Sequence, residues 1–424
     1  MDRHSANESV PEQAAEKLRP YRLAYFVSHP IQYQAPMLRC LAQSPDFDLS
    51  VFYFSDFSLR TYKDSGFGVD VAWDIPLLDG YKSEFLPEIP FLRRKSEVPR
   101  QQLCYGIYSR LRAGRFDAVW IHGYHTANAL HVMIAARLLG IPVLLRTDSW
   151  LADRPRTGMR RLLKQAFFTA LKQLVRATLS SGTLNDEYWQ HYFGKDFPRF
   201  LLPYSVDNDF FEQRAAAAAP QQAALRKELG LEPERPVILF ASKLQKRKHC
   251  MALVEAFLQM REDVQPQPYL LIIGDGEERA AIEARIAEAG DAGRKNIFML
   301  GFRNQSELPR YFDLCRVFVL PARHEPWGLI VNEVMNAGRA VIVTDEVGAA
   351  PDLVENSVNG FVVPVRDVKA LAKALRDVLS NPETAVKMGA KSLERIRHWG
   401  FAENVTGMKA ALDWLRSGHR SVTP

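Results

Sequence analysis

Glu325-Pro326-Trp327-Gly328-Leu329-Ile330-Val331-Asn332-Glu333 is the stretch on which the reading of this chain turns. An apolar run, Val317-Phe318-Val319-Leu320, precedes it and a helical run, Asn332 to Ala337, follows. The stretch is therefore the turn between a buried strand and a helix. Proline is favoured in a helix's first turn, and the unpaired N–H groups there point at whatever lies in front. With the helix starting near Gly328, Glu325 belongs to the loop and Glu333 to the helix's second turn. The two carboxylates then approach one ligand from different sides, and the amides of Gly328, Leu329 and Ile330 face an anion between them. That arrangement suits a molecule with hydroxyls at each end and a diphosphate in the middle. Two solvated glutamates are the ordinary alternative, and the flanking motifs weigh against it.

Working outward, strand-like and helix-like runs alternate along the chain. Leu23 to Val27, Leu49 to Phe54, Ala118 to Ile121 and Val143 to Leu145 read as buried strands, with helices over Met37 to Ala42 and Ala127 to Leu139. Gly140-Ile141-Pro142 closes the latter helix in the expected way. The pattern restarts after an alanine run, Arg214 to Pro220. Strands then follow at Val237 to Phe240, Tyr269 to Ile273, Ile297 to Leu300, Val317 to Leu320, Ala340 to Val343 and Gly360 to Val363. Between the first of these lie helices over Met251 to Met260 and Arg279 to Ala289. Such alternation implies parallel sheets covered by helices on both faces. The expected fold class is α/β, with two Rossmann-like domains whose parallel sheets face a central cleft. The expected boundaries are a disordered tail over 1–20, domains over 21–213 and 214–398, and a C-terminal segment over 399–424.

A chain of 424 residues is too long for one ordinary core. Hydrophobic and charged contents of 47% and 25% are those of a globular protein, without an apolar run long enough to cross a bilayer. The polar start, Met1 to Pro20, does not read as a signal peptide. Four cysteines (Cys40, Cys104, Cys250, Cys315) lack paired spacing and read as reduced core thiols, which points to a cytoplasmic protein. The formal charge of +6 leans toward acidic small ligands or an anionic membrane rather than nucleic acid.

Open α/β sheets bind ligands at the carboxyl ends of their strands, and the polar candidates fall there. Ser242-Lys243-Leu244-Gln245-Lys246-Arg247-Lys248 follows one strand, and Lys243 and Lys248 suit a diphosphate. Gly274-Asp275-Gly276 and Gly301-Phe302-Arg303 follow two others. These segments, with the Glu325–Glu333 pair, Asn336-Ala337-Gly338 and Gly360 to Pro364, resemble in order the retaining glycosyltransferases of family 4, which have the GT-B fold. The resemblance covers nearly the whole chain and is densest from Val237 to Pro364. It implies that Glu325 holds hydroxyls of a donor sugar, that Glu333 binds a ribose diol, and that Lys248 meets the diphosphate. Lys243 stands where the family usually has arginine. Gly274, Gly276, Gly301, Phe302, Gly328, Leu329 and Ile330 complete the implied donor site. It further implies front-face attack with the leaving phosphate assisting, no metal or other cofactor, and a final helix, Phe401 to Leu415, crossing back to the first domain. Asp207-Asn208-Asp209 imitates a metal-binding Asp-x-Asp but sits in the family's linker motif, so its expected role is structural.

The first domain departs from the family pattern. Ser28 to Pro36 replaces a glycine-rich loop, and His29, Gln32 and Tyr33 there suit a sugar acceptor. After the Val143 strand the family often has histidine, where this chain has Asp148 in Arg146-Thr147-Asp148-Ser149; Asp148 is the expected catalytic assistant, with His122 and His125 as the alternatives. His122, His125 and Asn185 are further acceptor candidates, with packing and capping as their ordinary roles. Arg160 to Arg176 mixes basic and apolar residues in an amphipathic pattern, either packed or laid on an anionic membrane at its inner face. The implied partners are a nucleotide-sugar donor and a glycan or lipid-linked acceptor. A GT-B epimerase and a non-catalytic nucleotide-sugar scaffold are the alternatives.

Overall fold

Apolar runs form the central strands because a parallel sheet is covered on both faces and excludes polar side chains. The computed structural model describes residues 19–64, 66, 68–71, 73–89, 103–152 and 158–418; most of the expected N-terminal tail lies outside them. In the first half the strands are β1 (Tyr21–Val27), β2 (Phe47–Tyr53), β3 (Tyr62–Lys63), β4 (Asp70–Val71), β5 (Lys82–Phe85), β6 (Ala118–His122), β7 (Val143–Arg146), β8 (Ala177–Ser180) and β9 (Arg199–Leu201). All but β3 and β4 form one parallel sheet in the order β5-β2-β1-β6-β7-β8-β9. The pair β3 and β4 is a separate antiparallel hairpin.

The second half adds β10 (Val237–Ala241), β11 (Tyr269–Ile273), β12 (Ile297–Gly301), β13 (Val317–Leu320), β14 (Ala340–Thr344) and β15 (Gly360–Val363). They form a parallel sheet in the order β12-β11-β10-β13-β14-β15. Each sheet reverses its strand order once, at β1/β6 and at β10/β13. A crevice opens at such a switch point, outside the carboxyl ends of the strands. The loops after these four strands are therefore the natural lining of a site.

The strands expected from sequence are present with ends shifted by at most a few residues. The alanine run behaves differently from its reading as a break. A helix, Asn208–Ala218, runs through it and packs against the helix Leu308–Leu314 of the second half. Alanine is the strongest helix former, so the run extends this helix. The final helix, Phe401–Arg416, turns back onto the first sheet. Its Met408, Ala411 and Leu412 are buried in one cluster with Tyr21, Leu23 and Tyr25.

The chain crosses between the halves at Leu202 to Val206. Tyr204 is buried there, and its carbonyl accepts from Asn332 Nδ2 at 3.0 Å and Trp399 Nε1 at 2.9 Å. Its ring lies 5.8 Å from that of Trp327, which lies 5.7 Å from Trp399, all nearly parallel. A second crossing joins Asp352 to the start of the helix Thr183–Phe193. Its carboxylate accepts from the Thr183 amide at 3.0 Å and hydroxyl at 2.7 Å, an N-cap supplied by the other half of the chain.

Candidate active site

The loops at β10/β13 meet around a buried ion pair. Lys248 closes a short helical turn, Lys246–Lys248, and donates to Glu325 Oε2. Arg247 donates to the same oxygen at 2.8 Å. Burial opposes ionisation of Glu325, but Lys248 and Arg247 outweigh it and hold its carboxyl below the usual range. Burial also draws Lys248 below the ordinary lysine range despite Glu325 beside it. Arg247 is the residue that the sequence reading missed; its signal was adjacency to Lys248 in the basic loop.

Gly328 takes φ of +92° and heads a helix, Leu329–Met335, that carries Glu333 in its second turn. Trp327 Nε1 donates to Asn332 Oδ1 at 2.8 Å, folding the loop onto that helix. Glu333 lines a cavity of about 140 Å³ with Ser242, Gly274, Phe302, Ile330 and Gln32. Its Oε2 is buried without a hydrogen-bond partner, and burial pushes its carboxyl up to about 8. This is a carboxyl awaiting donors, as a vicinal diol would supply. Gly274 is required by the crossing of two loops, since a Cβ there would stand 1.9 Å from the Ser242 carbonyl oxygen. Gly276 is pressed against the Leu244 carbonyl in the same way. Gly301, at the end of β12, accepts from the Gly274 amide at 2.9 Å.

Two first-domain residues enter this region. Gln32, read from sequence as facing an acceptor, lies in the Glu333 cavity with its Oε1 buried and unpaired. Lys243 is paired with Asp64, from the β3–β4 hairpin, at 2.7 and 2.9 Å. A carboxylate thus stands where a phosphate was expected, a contact across the cleft that local spacing does not reveal.

The switch at β1/β6 carries a second cluster. His122, ending β6, faces Gln34 Nε2 through Nδ1 at 3.3 Å and Asp148 Oδ1 through Nε2 at 3.4 Å. Tyr204 donates to Asp148 Oδ2 at 3.1 Å and lies 2.8 Å from the Tyr33 hydroxyl. Burial opposes ionisation of Asp148, yet His122, Arg146 and Tyr204 together hold its carboxyl below the usual range. His122, Asp148 and Tyr33 are thus brought together. His29 bonds Ser28 at 2.9 Å and meets Phe57 edge-on, while His125 is exposed with its ring against Tyr124. Asn185 spends its amide on structure: Oδ1 accepts from the Ser181 amide and Trp189 Nε1, and Nδ2 donates to the Ser149 carbonyl. Asp207 caps the helix that follows by accepting from the Phe210 amide at 3.0 Å. Among the described residues no group of three or more His, Cys, Asp or Glu side chains is arranged to hold a metal.

Two parallel-sheet domains, each with a polar cluster at its switch point, make up the GT-B fold. The HepE protein of Anabaena, solved in complex with UDP, has this fold: TM-score 0.69 at 15% identity, covering 93% of this chain and 100% of that one. The model of the family described as glycosyl transferases group 1 matches residues 221–395. The chain is 26% identical to an alpha-D-kanosaminyltransferase of Streptomyces kanamyceticus, over 68% of this chain and 74% of the relative. It is 30% identical to a GDP-mannose-dependent alpha-(1-6)-phosphatidylinositol monomannoside mannosyltransferase of Mycolicibacterium smegmatis, over 58% and 60% of the two chains.

Glu333 makes stability depend on pH. Its folded pKa lies above the unfolded value, so the folded state holds a proton that the unfolded chain has released. This contribution is complete below the unfolded value of 4.5 and is lost as pH rises through about 8. Urea titrations of the ligand-free protein should show a loss on the order of 4 kcal/mol between about pH 5 and about pH 9 that Glu333→Gln lacks. Asp64→Asn removes a carboxylate that competes for Lys243. Calorimetry with nucleoside diphosphates should find binding roughly fivefold tighter in this variant, and weaker binding would show that Asp64 belongs to the ligand site.

Proposed function

We propose that this glycosyltransferase moves a sugar, with retention, from a nucleoside-diphosphate sugar to a hydroxyl of a glycan or lipid-linked acceptor, without a metal. The observation that carries this reading is the Lys248–Glu325–Arg247 cluster at the second switch point, beside the unpaired carboxyl of Glu333. Related proteins support the donor class: HepE is solved with UDP-glucose, and the mycobacterial relative is GDP-mannose-dependent.

The roles follow from charge. When the anomeric carbon–oxygen bond breaks, its electron pair leaves on the diphosphate and positive charge gathers on the sugar. Lys248, Arg247 and Lys243 stabilise the first of these, and preorganised charges in a partly dry site act strongly. Glu325 orients donor hydroxyls near the reacting carbon, and Glu333 takes the ribose diol. The acceptor oxygen bonds the same face of the carbon, and its proton passes to a leaving phosphate oxygen. Asp148, between His122 and Tyr204, orients the acceptor hydroxyl. A polar cluster opposite the donor site favours transfer over isomerisation of the donor alone.

The helix Met159–Lys172 supports a peripheral membrane contact. Met159, Leu162 and Leu163 are 69%, 65% and 63% exposed, beside Arg160 and Arg161, whereas Phe168 and Leu171 are buried. Apolar residues pointing outward among cations suit an anionic leaflet. No helix among the described residues is long and apolar enough to cross a membrane. Sedimentation should find the protein on vesicles containing phosphatidylglycerol but not on pure phosphatidylcholine. Leu162→Ser with Leu163→Ser should release it, and equal recovery on both vesicles would remove the membrane from this reading.

Thermal denaturation with UDP-, GDP-, ADP- and dTDP-sugars, with and without EDTA, tests the donor class. One responding nucleotide, indifferent to EDTA, should stabilise by about 2.7 kcal/mol at a hundredfold excess over its dissociation constant. With that donor, Lys248→Ala should weaken nucleotide binding at least about tenfold. Glu325→Gln should lower turnover about a hundredfold or more while leaving nucleotide binding intact. Equal losses of nucleotide affinity in both variants would overturn this division of roles.

A further inference from the structure

The first-domain cluster is built around the carboxylate of Asp148. Asp148 Oδ1 is closed to solvent and faces His122 Nε2 at 3.4 Å. An ionised carboxylate only accepts, so it is a hydrogen on His122 Nε2 that can face it. Gln34 Nε2 lies 3.3 Å from His122 Nδ1, and Gln34 Oε1 accepts from the Tyr25 hydroxyl at 2.8 Å.

Tyr204 stands at its far end with one hydroxyl hydrogen and two acceptors, Asp148 Oδ2 at 3.1 Å and the Tyr33 oxygen at 2.8 Å. Hydrogen bonds to an ionised acceptor are roughly twice as strong as neutral ones. The hydrogen therefore goes to Asp148 while that group is charged, and Tyr33 is the neutral alternative. The Arg146 guanidinium lies 5.2 Å from the Tyr204 ring centre and favours the charged carboxylate. Tyr204 thus holds Asp148 through Oδ2, while 32% of its side chain stays open.

The remainder of Tyr204 belongs to the opposite domain. Its ring stacks on Trp327 and its carbonyl accepts from Asn332. Both partners lie in the stretch that carries Glu325 and Glu333. We propose that Tyr204 is a positioning residue for glycosyl transfer: its hydroxyl aims Asp148, and its ring and carbonyl tie that carboxylate to the Glu325–Glu333 stretch. The catalytic part of this proposal rests on the transfer reading above; the hold on Asp148 does not.

Tyr204→Phe keeps the ring and the stack on Trp327 while removing only the hydroxyl. In ligand-free protein labelled with ¹³C at aspartate carboxyls, the Asp148 signal is identified by its loss in Asp148→Asn. Tyr204→Phe should raise the titration midpoint of that signal by about one pH unit, because a donor to the anion is gone. Tyr33→Phe leaves the donor in place and should leave the midpoint where it is. With a nucleotide sugar that stabilises the protein and an acceptor that it glycosylates, the acid limb of kcat in Tyr204→Phe should move by the same amount. Turnover should fall at least about tenfold with donor affinity unchanged. An unmoved Asp148 midpoint overturns the hold, and a moved midpoint with an unmoved acid limb overturns the role in transfer. Should no nucleotide sugar bind or turn over, the transfer reading fails and the role in transfer with it, while the titration still decides the hold.

Discussion

The Tyr204 peptide carbonyl, with Asn332 and Trp399 both donating to it, is the contact on which the relation of the two domains depends. The chain crosses between sheets at this point, where the Tyr204 amide still donates to the Ser181 carbonyl at 3.0 Å while its own carbonyl meets side chains. A buried carbonyl there needs donors from side chains. One comes from the helix after the Glu325 loop and the other from the residue that precedes the returning final helix. Stacked rings of Tyr204, Trp327 and Trp399 fill the space around it. The linker is consequently packed as firmly as a core, and both switch points are referred to one fixed residue.

Around that residue the two clusters use charge in opposite ways. On the second domain, Lys248 and Glu325 are buried together with Arg247 at the rim, and the two cations hold Glu325 charged. Glu333, nearby and alone, resolves its burial by keeping a proton. On the first domain, Asp148 remains charged because donors and a guanidinium surround it. An environment rich in donors keeps one carboxylate ionised, and an environment without them keeps another neutral. The protein thus presents one carboxyl ready to receive hydroxyl hydrogens and another already supplied with them.

Much of this was legible in the chain. Strands that are buried on both faces must be apolar throughout, so the runs at Val237, Tyr269 and Val317 announced themselves. Glu325 and Glu333 were legible because Pro326 and Gly328 mark the turn between them. β5 was not, since Lys82-Ser83-Glu84-Phe85 is an edge strand and carries its charges outward. The partnership of Lys243 with Asp64 was hidden for another reason: the residues are far apart in sequence, and only the folding of a hairpin across the cleft joins them. Gln32 was misjudged by side, because a loop's position is readable from the strand before it but its direction is not. Tyr204 lies just before the linker motif around Asp207, and nothing local distinguishes a spacer from a brace.

The return of the final helix onto the first sheet bears on how the protein is made. Tyr21, Leu23 and Tyr25 are among the earliest described residues to leave a ribosome, yet Met408, Ala411 and Leu412, which cover them, are among the last. The N-cap that Asp352 lends to the helix Thr183–Phe193 also arrives late. Domains commonly fold in order as they emerge. Here the first domain waits with an open face until the second has been synthesised, and its central strands must be shielded meanwhile. Chain synthesis sets a pace that the first sheet's own folding cannot outrun.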